Sequence, residues 1–129
     1  MSHNQRSRFW LVAVLVIAVA GILSRTLHTG LILLDKYLGD SLYAAMFYAI
    51  FRLFLSNRSA AIASMAWMTA LEFFQLTLIP LHMLGSPNSL VRIVARLLGT
   101  TFSFYDLAAY AIGISAAALV ERVRNQYAR

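Results

Sequence analysis

Charged positions divide the 129-residue chain into long apolar blocks. The first, FWLVAVLVIAVAGIL, runs from Phe9 to Leu23 between Arg8 and Arg25. A second, DSLYAAMFYAIFRLFL, runs from Asp40 to Leu55 and is interrupted by Arg52 near its end. The third extends from Ser59 to Val91 with Glu72 as its only formal charge, and the fourth runs from Phe104 to Val120. Roughly 20 apolar residues cross the hydrocarbon core of a bilayer, and somewhat fewer suffice where flanking arginines reach the headgroups. The pattern therefore predicts an all-α integral membrane bundle with spans over about 9–25, 38–55, 60–81 and 104–120. Arg52 is expected to snorkel outward. Pro80 and the GSPNS turn should end the third span, and the charged tail ERVRNQYAR the fourth. The chain reads as a single membrane domain over 1–129, without repeats or linkers.

The first block also has the marks of a cleavable signal peptide: a basic start, an apolar stretch and an A-x-A pattern at Ala18 to Ala20. The apolar run continues past that site to Leu23, and a small bundle needs the helix, so the span is expected to be retained.

Between the third and fourth spans, SPNSLVRIVARLLG reads as a short interfacial helix over about 90–98. Ser89 is placed to cap it and Gly99 to end it, while Leu90, Val91, Ile93, Val94, Leu97 and Leu98 supply an apolar face. Arg92 and Arg96, four apart, share the opposite face.

Composition narrows the class without changing the element reading. The sequence is 60% hydrophobic and 12% charged, far more apolar than a soluble domain of this length buries. The net charge of +6 fits the basic flanks of membrane helices facing anionic lipid, so no nucleic-acid partner is expected. Cysteine is absent, which removes disulfides, thiolate metal sites and a cysteine nucleophile. With the N-terminus inside, Arg6, Arg8, Arg52, Arg58, Arg122, Arg124 and Arg129 are cytoplasmic, while Arg25, Lys36, Arg92 and Arg96 are outside. That asymmetry predicts both termini in the cytoplasm.

This orientation gives the polar residues a common depth. Glu72 stands thirteen residues after Ser59, roughly 20 Å from the inner surface at 1.5 Å per residue. Asp40 opens the second span and Asp106 the fourth, Arg25 closes the first, and Arg92 and Arg96 lie in the outer connection. The spacing thus predicts one outward polar site built from Arg25, Asp40, Glu72, Gln75, Arg92, Arg96 and Asp106. Asp106, Ala109, Gly113 and Ala117 form one stripe whose small residues admit a close neighbouring helix, so Asp106 faces protein. Glu72 and Gln75, three apart, share a face. A carboxylate at that depth requires a partner, for which Arg92 is the first expectation.

No cofactor or metal is expected. His3, His28 and His82 are scattered, no His pair has the spacing of a helical metal site, and neither a P-loop nor a G-x-S-x-G elbow is present.

The segments KYLGDSLYAAMFY (Lys36 to Tyr48), LEFFQL (Leu71 to Leu76), LVRIVARLLG (Leu90 to Gly99) and FSFYDLAAYAIG (Phe102 to Gly113) resemble, in order and spacing, the small bacterial membrane proteins of domain of unknown function family 2809, in the VanZ-like group. The resemblance covers about 21–113. It implies a multi-helix protein of the bacterial cytoplasmic membrane with a Glu-x-x-Gln pair and a later Asp, here Glu72, Gln75 and Asp106, followed by Gly113. Tyr110 stands where the wider pattern has Asn and so joins the candidate site residues, and one branch of that group is associated with glycopeptide resistance.

The expected function is binding of an anionic envelope component, either a membrane lipid or a lipid-linked cell-wall precursor, whose phosphates suit Arg25, Arg92 and Arg96. Two alternatives stay open: a small intramembrane enzyme acting on a lipid with Glu72 or Asp106 as general acid or base, and a purely structural subunit, alone or in an oligomer.

Overall fold

The computed structural model describes residues 2–26, 32–99 and 103–127, with the backbone alone for residues 25, 26 and 32–35. The described elements are α1 (His3–Thr26), α2 (Ile32–Arg52), α3 (Asn57–Gln75), α4 (Ile79–Met83), α5 (Ser89–Leu98) and α6 (Phe104–Tyr127). The protein is all-α. Two of these helices, through His3–Ser24 and Phe104–Tyr127, are long and apolar enough to cross a membrane. Helices α2 and α3 fall short of that apolar average because they carry Asp35, Lys36, Asp40 and Arg52 in one, and Asn57, Arg58, Glu72 and Gln75 in the other.

Helix α2 is the hub. It packs against α1, α3 and α6; α3 also packs on α6, while α4 contacts α3 and α5. Helices α2 and α6 approach closely. A Cβ at Gly113 would stand 2.7 Å from the Ser41 carbonyl carbon, so only glycine fits there. Ser41 Oγ donates to the Ala109 carbonyl at 2.9 Å across the same contact. Small residues let the two backbones meet and make the interhelical bond available.

The core contains Trp10, Ala44, Tyr48, Ala49, Ala60, Met68, Tyr110 and Ile114. Trp10 meets Tyr48 edge-on, with centroids 5.9 Å apart. In α3 the buried stripe is Ala60, Ser64, Met68, Glu72 and Gln75, small or polar apart from Met68, whereas Ile62, Trp67 and Phe73 point outward. Along α1, Leu11, Val12, Leu15, Val16, Val19 and Ile22 are all more than half exposed.

The observed helices depart from the expected boundaries; the first already starts at His3, ahead of residue 9, and the second ends at Arg52, short of residue 55. The third does not run to residue 81. It stops at Gln75, the chain turns through Leu78 in the left-handed region at φ 62°, and a separate short helix begins with Pro80 in its first turn. Proline has no N–H to donate, and its ring would strike the Leu76 carbonyl, so a continuous helix cannot pass through it. Thr77 manages the exit: its Oγ1 donates to the Phe74 carbonyl at 2.7 Å and accepts from the Ile79 N–H at 3.2 Å. The second helix starts at Ile32, ahead of residue 38, and the last continues to Tyr127, past residue 120. At α5 the cap is Asn88 rather than Ser89, its side chain accepting from the Leu90 N–H at 2.9 Å.

Candidate functional site

Four helices converge on a buried polar chamber. The last turn of α3 brings Glu72 and Gln75, the N-terminal half of α2 brings Lys36 and Asp40, the first turns of α6 bring Asp106 and Tyr110, and α5 brings Arg96. These residues, with Leu98 and Gly99, line a half-open cavity of about 170 Å³.

Glu72 is fully buried. Its Oε1 accepts from the Tyr110 hydroxyl and from Gln75 Nε2 at 3.3 Å, and its Oε2 accepts from the Ser103 N–H at 3.4 Å. The expectation that Arg92 pairs with Glu72 is therefore corrected. The Arg92 guanidinium turns back along its own helix, donating to the Ser86 carbonyl at 2.8 Å and Ser89 Oγ at 3.1 Å. Three hydrogen-bond donors, none of them cationic, replace the ion pair. Tyr110 has a clear part in this: its hydroxyl supplies from α6 a donor that reaches the carboxylate across the bundle.

Gln75 joins the helix ends. Its Nε2 also donates to the Leu98 carbonyl at 2.9 Å, tying α3 to the last turn of α5. Gly99, at φ 82°, makes that possible, since a Cβ there would collide with the Gln75 amide. The α5 face that would carry Arg96 toward the chamber also buries Ala95 completely, while Leu90, Ile93, Val94 and Leu97 remain largely exposed.

Asp106 is buried and opens α6, where a carboxylate suits the helix dipole. Lys36 Nζ stands 3.4 Å from Asp106 Oδ1, with the lysine side chain half exposed. Sequence reasoning placed Lys36 on the outer side without assigning it to the site. The signal was its spacing of four from Asp40 on one helix face.

Among the described residues, Gln75 Oε1 is a buried acceptor in this chamber that takes no hydrogen bond, and Asp106 Oδ1 has the Lys36 ammonium 3.4 Å away as its ion-pair partner. Buried acceptors without donors are costly, so a group entering the chamber gains most if it brings N–H or O–H. The cations Lys36 and Arg96 add attraction for an anion at the rim. Of the residues expected here, Asp40, Glu72, Gln75, Arg96, Asp106 and Tyr110 come together, Arg92 does not line the cavity, and the Arg25 side chain lies outside the described residues. The described residues hold no group of three or more His, Cys, Asp or Glu able to hold a metal ion.

A second polar cluster, not anticipated from the sequence, lies at the opposite end of the bundle. Arg52 is buried rather than snorkelling: its Nε donates to both Glu121 oxygens at 2.9 and 3.0 Å, its Nη2 also meets Glu121, and its Nη1 donates to the Leu55 carbonyl at 2.5 Å. Tyr48 Oη donates to Glu121 Oε2 at 2.5 Å. The guanidinium also lies over the Trp10 ring, 5.2 Å from its centroid. Arg6 covers the frayed end of α2 by donating to the Leu55 carbonyl at 3.2 Å. From Asp106 to Glu121 is fifteen residues of one helix, so the two clusters stand roughly 22 Å apart. The second cluster thus ties α1, α2 and α6 together.

Residues 29–114 match the model of a family described as protein of unknown function (DUF2809). No curated protein and no solved structure matches the chain.

Proposed function

This chain belongs to the DUF2809 family of proteins of unknown function, and we propose that it is a four-span protein of the bacterial cytoplasmic membrane whose outward chamber binds the head of an anionic envelope lipid. The lipid is either a membrane phospholipid or a lipid-linked cell-wall precursor. Helices α1, α2, α3 and α6 are the spans, and α5 lies along the outer interface with its exposed apolar face in the lipid. Both termini are cytoplasmic, in keeping with the seven basic residues on that side against four outside.

The observation that carries the reading is the unsatisfied acceptor Gln75 Oε1 beside the Asp106 carboxylate, in a chamber lined by the cations Lys36 and Arg96, with Lys36 3.4 Å from Asp106. A phosphate meets the two cations, and hydroxyls beyond it reach the two acceptors. Arg96 takes the part that the sequence divided between Arg92 and Arg96. Glu72 holds Tyr110 and Gln75 in position and contacts the ligand only through them.

The test is native mass spectrometry of the purified protein in matched detergent. Wild type is expected to retain anionic lipid above the background of the membrane it came from. Lys36→Ala combined with Arg96→Ala should lower that retention by about tenfold or more, the loss of two charge-assisted contacts. Equal retention by the double variant would remove the chamber from the binding of lipid.

A further inference from the structure

The polar chamber has an apolar neighbour. Between α1 and α2 runs a crevice of about 250 Å³, lined among others by Ile17, Gly21, Ile22, Leu42 and Met46, with walls that are nearly all apolar. Tyr43 and Leu97 line both cavities, so one opens beside the other. From Gly39 to Met46 the crevice follows α2 for about 10 Å at 1.5 Å per residue. The space is not closed by neighbouring side chains: a Cβ at Gly21 would meet nothing within 4 Å.

Resting on the reading that the chamber holds an anionic lipid head, we infer that the ligand is a glycerophospholipid with a small hydroxylated head, of the phosphatidylglycerol type, and that one of its acyl chains begins in the α1–α2 crevice. Size selects the head. Drug-sized ligands occupy pockets of about 300–1,000 Å³, whereas this half-open chamber offers about 170 Å³, room for a small head and too little to hold a glycosylated one within it. Hydrogen bonding selects among small heads. Gln75 Oε1 lacks a donor, and the Asp106 carboxylate, paired on one side with Lys36, can accept a further one; the two hydroxyls of a glycerol head supply such donors and a choline head lacks them. The phosphodiester then lies toward Lys36 and Arg96. Continuity through Tyr43 and Leu97 carries the chain into the crevice, where packing rather than escape from water holds it, because the surrounding bilayer is equally apolar.

Gly21→Phe tests the chain seat, since the open space at Gly21 accepts the ring while the ring fills the crevice. Wild type, Gly21→Phe and Arg96→Ala would be reconstituted in nanodiscs of phosphatidylcholine doped with phosphatidylglycerol and a polyprenyl phosphate, and the retained lipid read by native mass spectrometry. Wild type is expected to keep phosphatidylglycerol selectively, with Gly21→Phe lowering that retention about three- to tenfold. Unchanged retention in Gly21→Phe beside a loss in Arg96→Ala overturns the chain seat and leaves the head reading standing. Selective retention of the polyprenyl phosphate overturns the glycerophospholipid class, and no effect of either variant removes both readings. Phosphatidylglycerol with a photoreactive acyl chain gives a check on wild type that is independent of mutant folding. Adducts on the α1 and α2 segments that line the crevice are expected, and adducts confined to other helices would overturn the proposal.

Discussion

Removing the Glu121 carboxylate should be among the most damaging single changes in this protein. In Glu121→Leu, the Arg52 guanidinium loses its Nε and Nη2 acceptors and keeps the Leu55 carbonyl, while Tyr48 Oη loses its acceptor. Arg52 and Glu121 are both less than a tenth exposed, so solvent cannot replace those contacts. Breaking a buried pair from one side costs about 3–5 kcal/mol, and an orphaned buried hydroxyl a further 1–3 kcal/mol. Chains unfolded within lipid or detergent find other partners, which places the expected loss near the lower figure, about 3 kcal/mol. Removing both charges is a different matter. Arg52→Met with Glu121→Leu leaves no buried ion, and well-packed apolar replacements are expected to come within about 1–2 kcal/mol of wild type. Unfolding of detergent-purified protein by titration with sodium dodecyl sulfate, followed by Trp10 and Trp67 fluorescence, measures Glu121→Leu, Arg52→Met and the double variant. If the two single changes add to the double within about 0.5 kcal/mol, or if Glu121→Leu costs less than about 1 kcal/mol, the tie between α2 and α6 does not exist as described.

Tyr110→Phe removes the α6 donor to Glu72 without changing the shape of the core, and a loss of about 1–3 kcal/mol in the same titration is expected, with Glu72→Gln combined with it costing less than the sum. Additive costs would detach Tyr110 from Glu72. Because the sequence has no native cysteine, single cysteines at Ser2, His28, Ser59, Ser86 and Ala128 report topology cleanly. An impermeant thiol reagent on intact cells should label only the His28 and Ser86 positions, and labelling at Ser2 or Ala128 would turn the chamber toward the cytoplasm.

The block pattern made the long helices legible, and the 3.6-residue spacing made the buried face of Glu72 and Gln75 legible, because both signals are local. The stripe Asp106, Ala109, Gly113, Ala117 was read as a close-packing face, and Gly113 does press against the Ser41 backbone. One more step of four along that stripe reaches Glu121. Assigning the tail to water stopped the stripe at Ala117 and hid the second cluster. Arg52 was lost for a related reason. Its distance from Tyr48, four residues, puts both on one face of α2, yet an arginine near the end of an apolar block reads equally well as a snorkelling one. Pairing was the least legible feature. Whether Glu72 meets Arg92 or Tyr110 depends on which way α5 rolls, and that is set by Ala95 packing inward and by the Gln75 link to Leu98, neither of which has a signature in sequence.

Gln75 offers the most direct probe of the chamber. It is one of three glutamines in the chain, so its side-chain amide signals can be assigned by comparison with Gln75→Leu in nitrogen-15 spectra of the protein in micelles. Its Nε2 is held by Glu72 and Leu98 while its Oε1 awaits a donor. Titration with phosphatidylglycerol is expected to shift the Gln75 amide signals saturably, leaving those of Gln5 and Gln126 in place, and phosphatidylcholine is expected to shift none of them. Gln75 signals that stay fixed under phosphatidylglycerol, or that move equally with both lipids, would contradict a lipid head in the chamber.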